Sequence, residues 1–338
     1  MTSMLRRIIR LAALALLVAG SGPALAQDKA IRLARQTSIA YLQLYIIEKD
    51  RLIERYAREF GAGEVEVTWT TINGANTLND ALIAGRLDVA TGGVAGLLTI
   101  WSRTQGTPRE IRGICTFQSG PLLLNTRRPG LRTVRDLRSD DRIAVPAVKV
   151  AAQAIFLQMA AAQAFGADQY ARFDPLAVSL SPADATVALL SGSGGVTAVF
   201  TAPPFQEQQL KQPGVHTVLN TFQLTGGSHS AGVAWTTAAF RERNPILYRA
   251  FLAAIRDATD TINRDKRAAA ALYLAAMNST MTLDDAAAVV SEPEVTWTMV
   301  PERTEVIAGF MARTGQIARP PASWKDYFFP EIHDLPGN

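Results

Sequence analysis

One cysteine and three histidines leave this chain little material for redox or metal chemistry. Cys115 stands alone, so no disulfide can close within the chain. His216, His229 and His333 fall at no spacing that would bring two of them onto one metal. The sequence also lacks a Gly-x-x-x-x-Gly-Lys loop and a Gly-x-Gly-x-x-Gly turn after a strand. Gly227-Ser-His-Ser-Ala231 misses the nucleophile elbow at its last position. Arg127-Arg128 is too short for a nucleic-acid patch. After Leu11–Ala19, no apolar run approaches the roughly 20 residues a spanning helix needs. These gaps argue against the common catalytic classes, and neither metal, cofactor nor nucleic acid is expected.

The amino terminus reads as an export signal over residues 1–26. Arg6, Arg7 and Arg10 precede the apolar run, and Ala24-Leu-Ala26 supplies small residues for cleavage. Setting those three arginines aside from the 34 basic residues leaves 31 against 30 acidic ones, so the formal charge drops from +4 to +1. A nearly neutral protein has no long-range attraction for polyanions. No cysteine lies beside the cleavage site, so lipid anchoring is not expected. A soluble, periplasmic monomer is.

Downstream, strands and helices alternate. Ile31–Arg35 is a first strand, and apolar residues from Tyr41 to Phe60 keep the three-and-four spacing of one helix over about 40–60. Val65, Val67 and Trp69 alternate with polar residues as a strand with one exposed face. A helix follows to Ala84, then strand Leu87–Ala90 and a helix over 94–102. Ile143–Val145 is a short buried strand stopped by Pro146, and a helix from about Val150 to Phe165 follows, closed by Gly166. Asp80-Ala-Leu-Ile-Ala-Gly85 and its strand are echoed by Val187-Ala-Leu-Leu-Ser-Gly192 and the strand 196–200. From Pro245 the chain is mainly helical, and the aromatic tail Trp324–Phe329 suits packing on the outside of a lobe. Such alternation predicts an α/β architecture whose sheets are mixed, mostly parallel and covered by helices on both faces.

In such sheets, ligands sit where strands end and helices begin. A helix start offers unpaired N–H donors and the positive end of a dipole, which suits an anion. Candidate ligand residues are therefore turn residues. Thr37, Ser38, Ser119, Thr201 and Ser228 offer hydroxyls, with His229 beside the last, while Asn73, Gly74, Ala75, Gly92, Gly93 and Gly120 bring backbone close. Val148, Lys149 and Val150 hold the expected helix start, with Lys149 adding charge. Tyr41, Phe117 and Phe205 suit either a pocket wall or the core.

Several stretches, taken in order, carry a family resemblance. They are Asn73-Gly-Ala75, Asp80-Ala-Leu-Ile-Ala-Gly-Arg-Leu-Asp-Val-Ala-Thr-Gly-Gly93, Thr133-Val-Arg-Asp-Leu137 with Arg142-Ile-Ala-Val145, Ser181-Pro-Ala-Asp-Ala185 and Thr201-Ala-Pro-Pro-Phe205. Their order and spacing resemble the periplasmic substrate-binding proteins of nitrate/sulfonate/taurine-type ABC transporters, over about residues 30–320. The resemblance implies a two-lobed, type II periplasmic binding protein fold with a cleft between lobes. Lobe I would take 27–120 and 225–300, lobe II 121–224, and 301–338 would form a C-terminal helix and tail. Hinges would lie near Ser119-Gly120 and the strand around Gly232. The resemblance also implies a small solute, a membrane permease and an ATPase as partners, and no catalysis. The family's cleft turns fall on Thr37-Ser38, Gly74-Ala75, Gly92-Gly93, Ser119-Gly120, Val148–Val150 and Thr201. No arginine stands out to pair with a sulfonate. Two alternatives stay open: a thiamine-pyrimidine-precursor binder or synthase-like enzyme on the same fold, and the input domain of a sensor kinase.

Overall fold

The computed structural model describes residues 29–338 apart from Thr280, so the expected export signal lies outside the described residues. In chain order the strands are β1 (Ala30–Arg35), β2 (Glu66–Thr71), β3 (Ala90–Gly92), β4 (Ile111–Ser119), β5 (Leu123–Thr126), β6 (Ile143–Val145), β7 (Ala177–Ser179), β8 (Ala198–Thr201), β9 (His216–Asn220), β10 (Ser230–Thr237) and β11 (Thr296–Trp297).

They build two lobes. In the first, β1 and β2 pair in parallel, and a parallel bridge from Leu33 to Val89 ties them to the β11-β4-β10-β3 sheet. The second is the five-stranded sheet β7-β6-β8-β5-β9. Both lobes mix directions: β6 runs parallel to β7 and β8, whereas β5 opposes β8 and β9, and β10 opposes β3 and β4. The opposed strands are those on which the chain changes lobe. It leaves the first sheet after Ser119, enters the second at Leu123, and returns between Asn220 and Ser230. β6 is buried along its length, as a strand covered on both faces must be.

Three elements depart from the sequence expectation. The single helix over 40–60 is a 3-10 turn Ile39–Tyr41 followed by helices Leu42–Lys49 and Leu52–Glu59. Arg51 breaks it by taking the left-handed conformation at φ 49. Both halves can then lie along the Pro245–Arg264 helix. The strand over 87–90 moves to β3, because the ladder with β10 starts at Ala90. The helix expected from Val150 starts at Ala152, since Lys149 is left-handed at φ 66 and Val148–Val150 form a turn. The internal echo is visible in the backbone: Gly85 and Gly192 follow matching helices at φ 68 and 69.

The aromatic tail packs along β4. Gly113 donates its N–H to the Tyr327 carbonyl at 2.8 Å and accepts from Phe329 N–H at 2.9 Å. A Cβ at Gly113 would lie 2.4 Å from the Phe328 ring, so only glycine lets this ring seat. Trp324, Tyr327, Phe328 and Phe329 are all buried there. Removing large aromatic surface from water makes this clasp a substantial part of the first lobe's stability.

Candidate functional site: a neutral cleft between the lobes

A cleft of about 290 Å³ lies between the lobes, reached by the turns after β1, β2, β3, β6 and β7. The first lobe contributes Gln36, Thr37, Ser38, Tyr41, Asn73, Gly74 and Gly93. The second contributes Pro146, Ala147, Val150 to Gln153, Ser181 and Pro182. None of the described residues lining it carries a formal charge. Arg35, at the end of β1, is held elsewhere by Glu48 and by the Tyr45 and Trp69 rings.

Helix starts dominate the walls. Gly74, Gly93 and Ala151 are the N-caps of the helices Ala75–Ile83, Val94–Thr104 and Ala152–Phe165, and none supplies a side-chain cap. In the last helix the first internal bond runs from Ile155 N–H to Ala151 O, so the N–H groups of Ala152, Gln153 and Ala154 have no partner within the helix. Likewise the first internal bonds of the other two begin at Leu78 and Gly96. Three uncapped helix starts thus border one space, drawn from both lobes, each with the positive end of its dipole.

The remaining polar groups are partly committed. Asn73 Oδ1 accepts from Thr37 N–H at 3.0 Å and so fixes that turn. Ser38 Oγ accepts from Ala40 N–H and donates to Pro203 O at 2.7 Å, a direct bond from one lobe to the other. Ser181 caps its own helix through Asp184 N–H. Gln36 Nε2 donates to Thr91 O at 3.1 Å. The Tyr41 ring stands edge-on to Phe117, and burial pushes its hydroxyl well above the usual phenol range, so it stays a donor. Where the lobes face one another across the cleft, a Cβ on Gly93 would lie 3.1 Å from the Ala152 Cβ.

The structure therefore gathers Thr37, Ser38, Asn73, Gly74, Gly93 and Val150 at the cleft. Ala75 heads the helix beside them. Gly92 sits behind Gln36, whose Nε2 lies 2.8 Å from where a Cβ would be. Val148 and Lys149 stand exposed on the turn. The other candidates lie at the crossings or in the core. Ser119 is fully buried with its hydroxyl unpartnered, and Gly120 N–H donates to His229 O at 3.2 Å. Thr201 is buried in β8 and accepts from Gln209 Nε2 at 3.3 Å. Ser228 donates to Glu302 Oε2 at 2.7 Å.

His229 is fully buried between Phe156 and Phe222 and bonds Thr221 Oγ1 at 2.7 Å. Burial pushes it down to about 4, so it is a neutral link at the crossing. Cys115 is buried, and desolvation drives its thiol far upward. Tyr41 was ambiguous from sequence. Gln36, Gln153 and Ser181 carry no ligand signal of their own in the sequence; Gln36 adjoins the Thr37-Ser38 turn, Gln153 follows the Val148–Val150 stretch, and Ser181 adjoins none of the candidate turns.

The match to the NMT1-like family spans residues 28–277. The chain belongs to the NMT1-like family. No curated protein sequence matches it. Solved structures do, at low identity. The periplasmic aliphatic sulphonate binding protein SsuA from Escherichia coli is 17% identical with a TM-score of 0.66, covering 90% of this chain and 92% of that one. The alkanesulfonate-binding protein SsuA from Xanthomonas axonopodis pv. citri, bound to MOPS, is 16% identical with a TM-score of 0.64, covering 87% and 96%. The periplasmic nitrate-binding protein NrtA from Synechocystis PCC 6803 is 14% identical with a TM-score of 0.63, covering 89% and 84%. The NMT1-like chain thus has the periplasmic binding protein fold, and these neighbours are binding proteins.

Proposed function

We propose that this protein is the periplasmic solute-binding component of an ABC importer. It captures a small anionic solute of the sulfonate, taurine or nitrate kind between its lobes and presents the closed form to a membrane permease and its ATPase. The lobes are 27–120 with 225–300, and 121–224, turning about Ser119-Gly120 and the strand through Gly232. The observation that supports this best is the meeting of three uncapped helix starts at an uncharged cleft. Orphan N–H groups and dipoles attract an anion, and the absence of a counter-cation keeps release feasible. Thr37, Ser38, Asn73 and Tyr41 give the direction of the remaining contacts. In this reading the protein is periplasmic, and the basic and apolar run of residues 1–26 supports export.

Ala152→Pro tests the helix-start contact. Proline is tolerated at the first helical position, and Ala151 already has the extended ψ of 151 that a following proline requires. The substitution deletes one N–H and no helical bond. Calorimetry with taurine, ethanesulfonate and nitrate should show a roughly 10-fold weaker Kd, the size of one hydrogen bond to a charged group. Equal affinity in both proteins would remove the helix start from the site. Ala151 itself is unsuitable for proline, because its N–H donates to Ala147 O at 3.2 Å and holds the turn.

A further inference from the structure

Beside the cleft lies a second, smaller space that shares Leu122, Ala152 and Ala231 with the cleft wall. Its far walls are Val94 from the first lobe, Ile155 and Phe156 from the second, and Ile307 from the Thr304–Arg313 helix. Ala152, Ile155 and Phe156 are spaced i, i+3, i+4, so one face of one helix carries both the anion-directed start and the chamber wall. The hydroxyl of Ser230, the polar side chain among the lining, is spent on backbone: it accepts from Glu302 N–H at 2.9 Å and lies 3.4 Å from Val300 O. The chamber holds about 10 Å³ of free room. That is about the space of one water, and an apolar wall gives a water no partners.

We infer that this chamber receives the apolar end of the solute whose anionic head sits on the helix starts, and that Ile307 sets how large that end can be. The inference rests on the receptor proposal and adds a specificity-determining residue to it. Ile307 lies beyond residue 277, where the family match ends. Because the walls come from both lobes, an apolar end bridges them and favours the closed form. A head group without such an end leaves the chamber empty. One methyl or methylene fills it, and a longer chain meets Ile307.

The test is a tail series: methane-, ethane-, propane-, butane- and pentanesulfonate, and the carboxylates with the same tails, titrated calorimetrically into wild type, Ile307→Val and Ile307→Ala. In wild type, affinity should rise about fourfold for the first buried carbon and fall once the chamber is full. Ile307→Val should move the optimum by about one carbon and Ile307→Ala by about two or three, each added carbon regaining about fourfold. The valine variant keeps the test valid if the alanine variant is too unstable to titrate. Affinity that is flat along the tail in wild type, or an optimum unmoved in both variants, overturns the inference while leaving a receptor for head groups in place. Absence of binding by every member overturns both the chamber assignment and the anion-receptor proposal.

Discussion

Helices of this chain begin in two ways. Those starting at Thr237, Asp265 and Thr282 carry a side-chain oxygen that accepts a first-turn N–H. Those starting at Gly74, Gly93 and Ala151 carry none and open on the cleft, which the capped start at Ser181 also lines, while the starts at Arg51 and Arg303 lack a cap away from it. A missing cap leaves roughly 1 kcal/mol of helix stability unrealised. At the cleft that deficit is what leaves donors free for a solute. Charge is distributed in the same sense. The cleft wall is uncharged, while elsewhere the lobes meet through Lys211 with Asp285 and through Asn220 Nδ2 to Glu294 Oε2 at 3.2 Å. Fixed dipoles inside and mobile charges outside keep the site free of a counter-ion that would compete with the solute.

The comparison can be broken most severely at Gly93. Its φ of −77 suits any residue, so a side chain there acts only by its bulk. Gly93→Leu would collide with Ala152, hold the lobes apart and lower solute affinity on the order of 100-fold, the effect of losing half of the contacts a closed site makes. Small-angle scattering should show a larger radius of gyration for the variant with solute present than for wild type. A closed variant with full affinity would refute the closure geometry.

A second change, at Glu207, concerns the charged meeting of the lobes. Burial raises its carboxyl to about 7, with Glu292 pushing in the same direction and a Gln206 hydrogen bond opposing. One carboxyl oxygen is enclosed without a partner. Below the ordinary carboxylate value, both folded and unfolded chains hold this proton. Between that value and about 7 the unfolded chain has released it and the folded chain has not, so stability falls as pH rises and levels off above 7. Urea denaturation of wild type should lose roughly 2 kcal/mol from this group between pH 5 and 8. Glu207→Gln should lose correspondingly less, and equal slopes would assign the pH dependence elsewhere.

The smallest effect inverts the two kinds of helix start. Ala151 has the extended backbone of an N-cap, so Ala151→Ser can cap its helix. Stability should rise by about 1 kcal/mol and anion affinity should fall a few-fold, because the new hydroxyl takes a donor. Thr282→Ala should cost about 1 kcal/mol in denaturation and leave affinity unchanged. If both variants moved stability and binding together, cap chemistry would not be what separates the two groups.

Much of the fold was legible because its signals are local. The buried run Ile143–Val145, the stop at Pro146 and the glycines at 85 and 192 mark elements through backbone chemistry that needs no neighbours. The break at Arg51 was not legible, since the apolar stripe continues across it and only packing on the Pro245–Arg264 helix gives the bend a use. The site divided similarly. Turns at strand ends can be found from sequence, and Thr37, Asn73, Gly74 and Gly93 were found in that way. Which turns face one another is decided by the path of the crossings, so Ser228 and His229, sequence neighbours of the hinge, point into packing while Gln153 and Ser181 reach the cleft.

By itself the sequence determined the alternation of strands and helices, the near-neutral charge once residues 1–26 are set aside, and the lack of metal-binding and nucleophilic motifs. Each is a property of residues counted or spaced along the chain. Only the tertiary structure decided that three helix starts without caps converge, that no charged side chain joins them, and that Ile307 closes a chamber against Ile155 and Phe156 from the other side of the molecule. The physical reason is distance: orphan donors and dipoles become a site only when separate helices bring them within a few ångströms of one point, and that proximity has no local signature in the chain.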